Sequence, residues 1–345
     1  MVLTERQKQI LSATVQTYIL TGDPVGSKML CDVMPVQVSS ATIRNVLSDL
    51  CEMGFLAQPH TSAGRIPTAM GYRFYIEQLM NESRLSAEQK RNIDSLLGSI
   101  GGSTEAVLEQ ACESLASLTG CAAMITTPCD KMATLKKVQL IAISRKTGMA
   151  VIATSSGMIK NRVVRCDLAV SDEQLQNAQN ALNKVMVGKS IDDISIATTQ
   201  QIIGMLGSDM LLLSPIVAAA VEAVLSAAET ELKLKGESNL LINNRFSGAN
   251  AARLLGFLRN RENVMHIIRR PPGNISVVLG DETGEDVLHS SGVIIANYKL
   301  RGRDIGSIGI LGPERMDYGS IIPGMMYFRD VLQKLLDDSI SEDNE

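Results

Sequence analysis

Residues Ile10, Leu11, Thr14, Val15, Tyr18 and Ile19 recur at the spacing of one helix face. Thr4-Glu5-Arg6-Gln7 ahead of them has the form of a capping box, and Thr21-Gly22-Asp23-Pro24 stops the run. A short second helix is predicted over 26–33, ending before Pro35. The third segment, VSSATIRNVLSDLCEMGFL (38–56), places Ile43, Val46, Leu47, Leu50 and Met53 on one stripe. Ser39 or Ser40 can cap it, and Gly54 can end it in the left-handed conformation. FLAQ (55–58) and GRIPT (64–68) then pair as a short hairpin around PHTSA. Three helices followed by a hairpin is the order of a winged helix-turn-helix.

Beyond residue 83 the pattern changes. Residues 86–103 are polar and end in GSIGGS, which reads as a linker. A helix is predicted over 105–118, then strands in CAAMITTP, LKKVQLIAIS and GMAVIATSSGMIKNRVVR, with turns at Lys131 and Thr147-Gly148. A helical stretch follows over 171–231, with Ser171 as its cap. Strand-like runs return in ISVVLG, DVLHSSGVIIANYKL and RDIGSIGILG, and a last helix spans 321–336. Strands, then helices, then strands again predict an α+β multidomain chain in which one domain is interrupted by an insertion.

Composition narrows the function classes. The chain has 345 residues, 45% of them hydrophobic, with no Trp and 17 Met, so its cores rest on aliphatic side chains and Met. The stretch MLLLSPIVAAAVEAVL (210–225) is broken by Pro215 and Glu222 and reads as a buried helix, with no membrane association expected. The opening MVLTERQKQI lacks the apolar run of a signal peptide, and the expected location is cytoplasmic. Six Cys, at 31, 51, 112, 121, 129 and 166, form no CxxC pair, so reduced and mostly buried thiols are expected and no metal site. No Ser-His-Asp or Cys-His arrangement can be argued, no cofactor is implied, and His266 and His289 read as structural or surface groups. GDETGED and GRDIGSIG lack the spacing of nucleotide loops. Arg269-Arg270 and Arg301/Arg303 read as solvated surface.

The formal charge of −4 does not announce a nucleic-acid binder, and residues 1–83 hold six Lys/Arg against seven Asp/Glu. A DNA-binding reading therefore rests on placement. The polar side of the third helix offers Ser40, Thr42, Arg44 and Asn45, small hydrogen-bonding groups with one guanidinium. Arg pairs with guanine edges and Asn with adenine edges in a major groove. An ordinary amphipathic helix would also carry a polar face. The loop QPHTSAGRIPT (58–68), stiffened by Pro at both ends, would be the tip of a wing, with His60, Thr61, Ser62 and Arg65 directed at phosphate or the minor groove. Lys28 and Ser39 complete the candidate DNA-binding set. A surface turn with no partner is the alternative for the loop.

With these residues in place, the chain resembles the HrcA-type heat-inducible transcription repressors of bacteria. The matching stretches are YILTGDPVGSKML (18–30), VSSATIRNVLSDL (38–50), QPHTSAGRIPT (58–68), GYRFYIEQLM (71–80) and, near the other end, GSIGILGPERMDY (306–318). SGMIKNRVV (156–164) and ALNKVMVGKSIDDI (181–194) also fit, so the resemblance covers nearly the whole chain. Val46 and Cys51 stand where such proteins often have acidic residues, within or beside the apolar stripe. The resemblance implies a winged-helix domain over 1–83, a linker over 84–103, a GAF-like α+β domain in two segments, 104–170 and 262–345, and an inserted dimerisation domain over 171–261. It also implies a homodimer, an inverted-repeat operator on double-stranded DNA ahead of chaperone operons, and activity linked to folding by a GroEL-type chaperonin.

Two other functions stay open. A winged-helix regulator could sense a small metabolite through its C-terminal part. An enzyme or chaperone-interaction module could carry a vestigial DNA-binding domain, although no catalytic constellation supports this.

Overall fold

The computed structural model describes residues 3–34, 38–80, 84–127, 132–242, 248–269, 274–300 and 302–341. Helix α1 (Glu5–Thr21) starts on the expected capping box, in which Gln7 N donates to Thr4 Oγ1 and Thr4 N to Gln7 Oε1. It ends on Gly22 at φ 75°, where a Cβ would be strained. Helices α2 (Ser27–Val33) and α3 (Ser40–Glu52) follow, and Gly54 takes φ 83° just past α3. Strands β1 (Leu56–Ala57) and β2 (Ile66–Pro67) pair antiparallel. Helix α4 (Ala69–Phe74) is capped by Thr68 and runs on through a π-helical turn, Tyr75–Leu79. Ile43, Val46, Leu47 and Leu50 of α3 are buried, each worth about 1.5–3 kcal/mol relative to exposure.

The stretch expected as a linker contains helix α5 (Ala87–Gly98). A second capping box, Ser86 with Gln89, nucleates it, and burial of Ile93 and Leu97 holds it down. Helix α6 (Thr104–Thr119) and strand β3 (Ala122–Thr126) come next.

Strands β4 (Leu135–Ser144), β5 (Thr147–Thr154) and β6 (Ile159–Arg165) form a separate three-stranded antiparallel sheet. The β4–β5 turn falls at Arg145-Lys146 rather than Thr147-Gly148, because Gly148 is paired to both Ala142 and Val164. Helices α7 (Asp172–Met186) and α9 (Met210–Ser226) cover one face of this sheet, and α8 (Ile196–Leu206) packs against both of them. The run 196–226 is long and apolar enough to cross a membrane by length and composition. In the structure Leu213, Ile216, Val217, Ala220, Ala223 and Val224 of α9 are buried in the core beneath this sheet. Along β4 the free edge is occupied by side chains of α7: Val138 N donates to Asn183 Oδ1 (3.0 Å), Asn183 Nδ2 to Val138 O (2.8 Å) and Leu140 N to Gln179 Oε1 (2.8 Å).

Strand β7 (Leu232–Lys235), helices α10 (Asn239–Ile242), α11 (Gly248–Arg259) and α12 (Arg261–Ile268), strands β8 (Ile275–Leu279), β9 (Ser291–Leu300) and β10 (Arg303–Pro313), and helix α13 (Tyr318–Ser341) complete the chain. The second sheet has the order β7-β3-β10-β9-β8, all antiparallel. Its side chains alternate between two cores. Ala123, Ile125, Val277, Ile294, Ile308 and Ile310 face α5, α6 and α13. Met124, Val278, Val293, Ile295 and Leu311 face α10–α12.

The packing units therefore run differently from the expected boundaries. Strands β4–β6 were expected with the domain over 104–170, but they share a core with α7–α9. Residues 232–261 were expected in the insertion, yet β7 pairs with β3, and Leu240, Leu254, Phe257 and Leu258 lie on the five-stranded sheet. The expected helix to residue 231 ends at Ser226. Alternation shows that a strand is half-buried but not which element buries it. The turn at Lys131, Cys129, and Arg270 and Arg301 of the two basic clusters lie outside the described residues, as do Pro35, beyond α2, and the last residues of the predicted 1–83 domain.

The units join in two ways. The core of α1–α4 is continuous with the α5/α6/α13 face of the large sheet. The α7–α9 core is separate, and its unit is tied to the large sheet by ions. Lys160 of β6, only 8% exposed, donates to Glu105 (3.1 Å) and Glu231 (2.8 Å), and Lys233 contacts the same two carboxylates at 2.5 and 3.4 Å. Nearby, buried Thr104 donates to Ser156 O at 3.1 Å.

Candidate nucleic-acid interface

Helix α3 presents the polar face expected of it. Arg44 and Asn45 are exposed, while the apolar stripe points inward. Its cap is Ser39, whose Oγ accepts from Thr42 N (3.1 Å) and lies 2.8 Å from Thr42 Oγ1. Ser39 and Thr42 are thus partly engaged with each other. Ser40 Oγ lies 2.9 Å from Ser27 Oγ, which ties the start of α3 to the start of α2. Lys28 is exposed on α2.

The loop between β1 and β2 is fixed by its own backbone. Gln58 Nε2 donates to Thr61 O (2.9 Å) and Ala63 O (3.2 Å), and Ala63 N donates to His60 O (2.9 Å). His60, Thr61 and Ser62 are exposed at the tip. Behind the tip, Val25 and Arg65 exchange two backbone hydrogen bonds of 2.8 Å, so the α1–α2 connection adds a bridge to the hairpin. Gly64 is needed there: a Cβ would stand 2.5 Å from the Val25 carbonyl carbon. Arg65 differs from its neighbours. It is half-buried, its Nη1 donates to Ala63 O (3.2 Å) and its Nε is buried without a hydrogen-bond partner. Burial pushes the nearby Cys51 thiol up, and the charge and hydrogen bonding of Arg65 oppose that rise.

The structure brings α3, α2 and the loop together around an open groove of about 350 Å³. Gly26, Ser27, Arg44, Gln58, Thr61 and Ser62 are among its lining residues. Gln58 and Ser27 were not among the expected site residues. Gln58 stood inside the Pro-bounded loop, but its role depends on a turn geometry that spacing does not give. Among the described residues, no group of three or more His, Cys, Asp or Glu could hold a metal ion. Cys112, Cys121 and Cys166 are buried free thiols, and burial pushes Cys112 up to about 12. A second cavity of about 230 Å³ lies between α5, α6 and α13, with Ile93, Leu115 and Phe328 in its walls and Gln89, Asn92 and Ser320 among its polar groups.

Comparison with known proteins places this architecture. The profile described as HrcA protein C terminal domain matches residues 105–322. The heat-inducible transcription repressor HrcA of Acetivibrio thermocellus is 31% identical, over 99% of each chain. The protein of the same name from Desulforudis audaxviator is 32% identical over 97% of this chain and 98% of its own. A crystal structure described only as that of a hypothetical protein is similar with a TM-score of 0.67 and 25% identity, covering 98% of each chain. The chain belongs to the HrcA family.

Proposed function

We propose that this chain, a heat-inducible transcription repressor by family, binds an inverted-repeat operator on double-stranded DNA as a homodimer. The observation that carries the reading is the exposed pair Arg44 and Asn45 on α3, set beside the groove that the loop 58–65 walls. Residues 1–83 act as a winged-helix module: α3 enters the major groove, and Lys28, Ser39, Ser40, His60, Thr61 and Ser62 contact phosphate or the minor groove. Arg65, turned back toward the scaffold, serves more to hold the wing than to touch DNA.

The five-stranded sheet with helices on both faces is the GAF-like domain, with segments 84–127 and 231–341. The insert spans 132–228 and supplies dimer contacts. Its outer sheet face supports this role, since Ile141, Met149 and Val163 lie in one cross-strand row, with Ile141 and Val163 exposed. Dependence on a GroEL-type chaperonin fits the long-range closure of the large sheet: Thr126 and Ser307, hydrogen-bonded at 2.8 Å, are 181 residues apart.

Operator and scrambled DNA, titrated at fixed salt with and without chaperonin, test the reading. Arg44→Ala is expected to cost about 1–3 kcal/mol on the operator and much less on scrambled DNA. Equal losses on both would leave Arg44 a phosphate contact only. The second reading, a metabolite sensor, is favoured by the 230 Å³ cavity between α5, α6 and α13. A ligand that raises the melting temperature and changes operator affinity would select it.

A further inference from the structure

Two stretches that carry the family resemblance, GYRFY (71–75) and GPERMDY (312–318), belong to different units and meet in the structure. The rings of Tyr72 and Tyr318, both buried, have centroids 6.2 Å apart. Tyr318 donates to Glu314 O at 2.5 Å, which fixes the loop after β10. From that loop, the Arg315 guanidinium occupies the place a Cβ on Gly22 would take, against the C-terminus of α1. On the other side Arg73 forks onto the large sheet. Its Nε donates to Glu282 Oε1 (3.0 Å), its Nη2 to Val277 O (2.7 Å) and also to Glu282 Oε2. Glu282 is itself aimed by Leu279 N, which donates to its Oε2 at 2.9 Å.

This contact is directional. A bidentate guanidinium–carboxylate pair fixes an angle as well as a distance, and Lys cannot reproduce it. The shared apolar core, with the two tyrosines in it, holds the units together, and the Arg73 fork is a directional contact between them. Residues 71–80 follow directly on the hairpin, so the angle of that contact carries α3 with it.

We propose that Arg73 and Glu282 are positioning residues that set which operator half-site spacing the dimer accepts. This rests on the dimeric operator reading above. Two recognition helices reach two half-sites only when they stand about 34 Å apart or a multiple of it. A free joint between α4 and the sheet accepts many spacings and loses affinity to the ordering that binding then requires. A latched joint accepts one.

The test uses the full chain with Glu282→Ala and with Arg73→Lys, the second retaining charge and fold while removing the fork. Binding is measured on the inverted repeat, on repeats lengthened or shortened one base pair at a time, and on scrambled DNA. Amide hydrogen exchange over 275–278, which leaves out the Leu279 amide that Glu282 itself binds, is followed without DNA. Wild type is expected to lose affinity steeply as the spacing changes. Both variants are expected to bind the natural spacing about 5- to 10-fold more weakly. They should show a flattened spacing dependence, unchanged binding to scrambled DNA and faster exchange over 275–278. Unchanged exchange together with an unchanged spacing profile overturns the proposal, as does a uniform loss on all DNAs. If wild type does not distinguish the inverted repeat from scrambled DNA, the repressor reading falls instead, and exchange alone decides whether the latch exists.

Discussion

The α1–α4 unit and the β4–β6/α7–α9 unit are both attached to the same five-stranded sheet, but by opposite means. The first shares an apolar core with it, running without a break from Ile10 through Tyr72 and Tyr318 to Leu336. The second keeps its own core and meets the sheet through Lys160, Lys233, Glu105 and Glu231. Apolar burial is non-directional and cooperative with folding, so the first junction should unfold with its neighbours. The lysine–carboxylate pairs of the second junction lie outside both apolar cores, so breaking them is expected to leave both cores intact. One attachment makes two units unfold together, with the Arg73 fork left to fix their angle, and the other joins two separate cores through charge.

Tyr318→Ala should separate these cases most strongly. Loss of a buried ring costs about 3–5 kcal/mol, and denaturant unfolding followed at α1–α4 and at the large sheet should shift together. Independent transitions would deny a shared core. Lys160→Ala should cost less, about 1–3 kcal/mol, and the loss should fall on the junction. Hydrogen exchange is expected to rise near Thr104, Ser156 and Thr127 while the α9 core stays protected.

The smallest effect is that of acid. Burial alone would raise the Glu231 carboxyl, but hydrogen bonds and charge from Lys160, then Lys233, hold it below the usual carboxylate range. Its contribution is complete above the unfolded-state carboxylate range and lost as pH falls through the lowered folded value. Burial alone would lower Lys233, whereas Glu105 and Glu231 raise it, so its contribution is lost only as pH rises through a value above the ordinary lysine range. Below about pH 4 the junction should therefore loosen, read as proteolysis near 226–231, before α1–α4 separates from the sheet.

Local patterns made the first unit legible. The α3 stripe, its Ser39 cap, the left-handed Gly54 and the hairpin each depend on neighbours within a few residues. The half-burial of Arg65 was not legible because its place is fixed by a backbone bridge to Val25, forty residues away in sequence. The insertion was visible as an interruption, but its edges were not. LKLK (232–235) alternates as a strand does but is only four residues long, and its place in the large sheet emerges only when β3 pairs with it; α5 carries a capping box in a segment whose polarity read as linker. The fork of Arg73 onto Glu282 joins residues 209 apart, beyond the reach of any local pattern.

The position of β3 has a consequence in time. It is made early and lies between β7 and β10, so it has no partner on one side until β7 appears and none on the other until β10 does. At about 5–20 residues per second, the 181 residues from Thr126 to Ser307 take roughly 10–40 s to synthesise. By then the whole of α1–α4 has long been synthesised. Each new molecule thus passes through a period in which α1–α4 is already made while the sheet whose core it shares is still open at β3. For those seconds the edges of β3 present unpaired backbone groups to any other strand they meet.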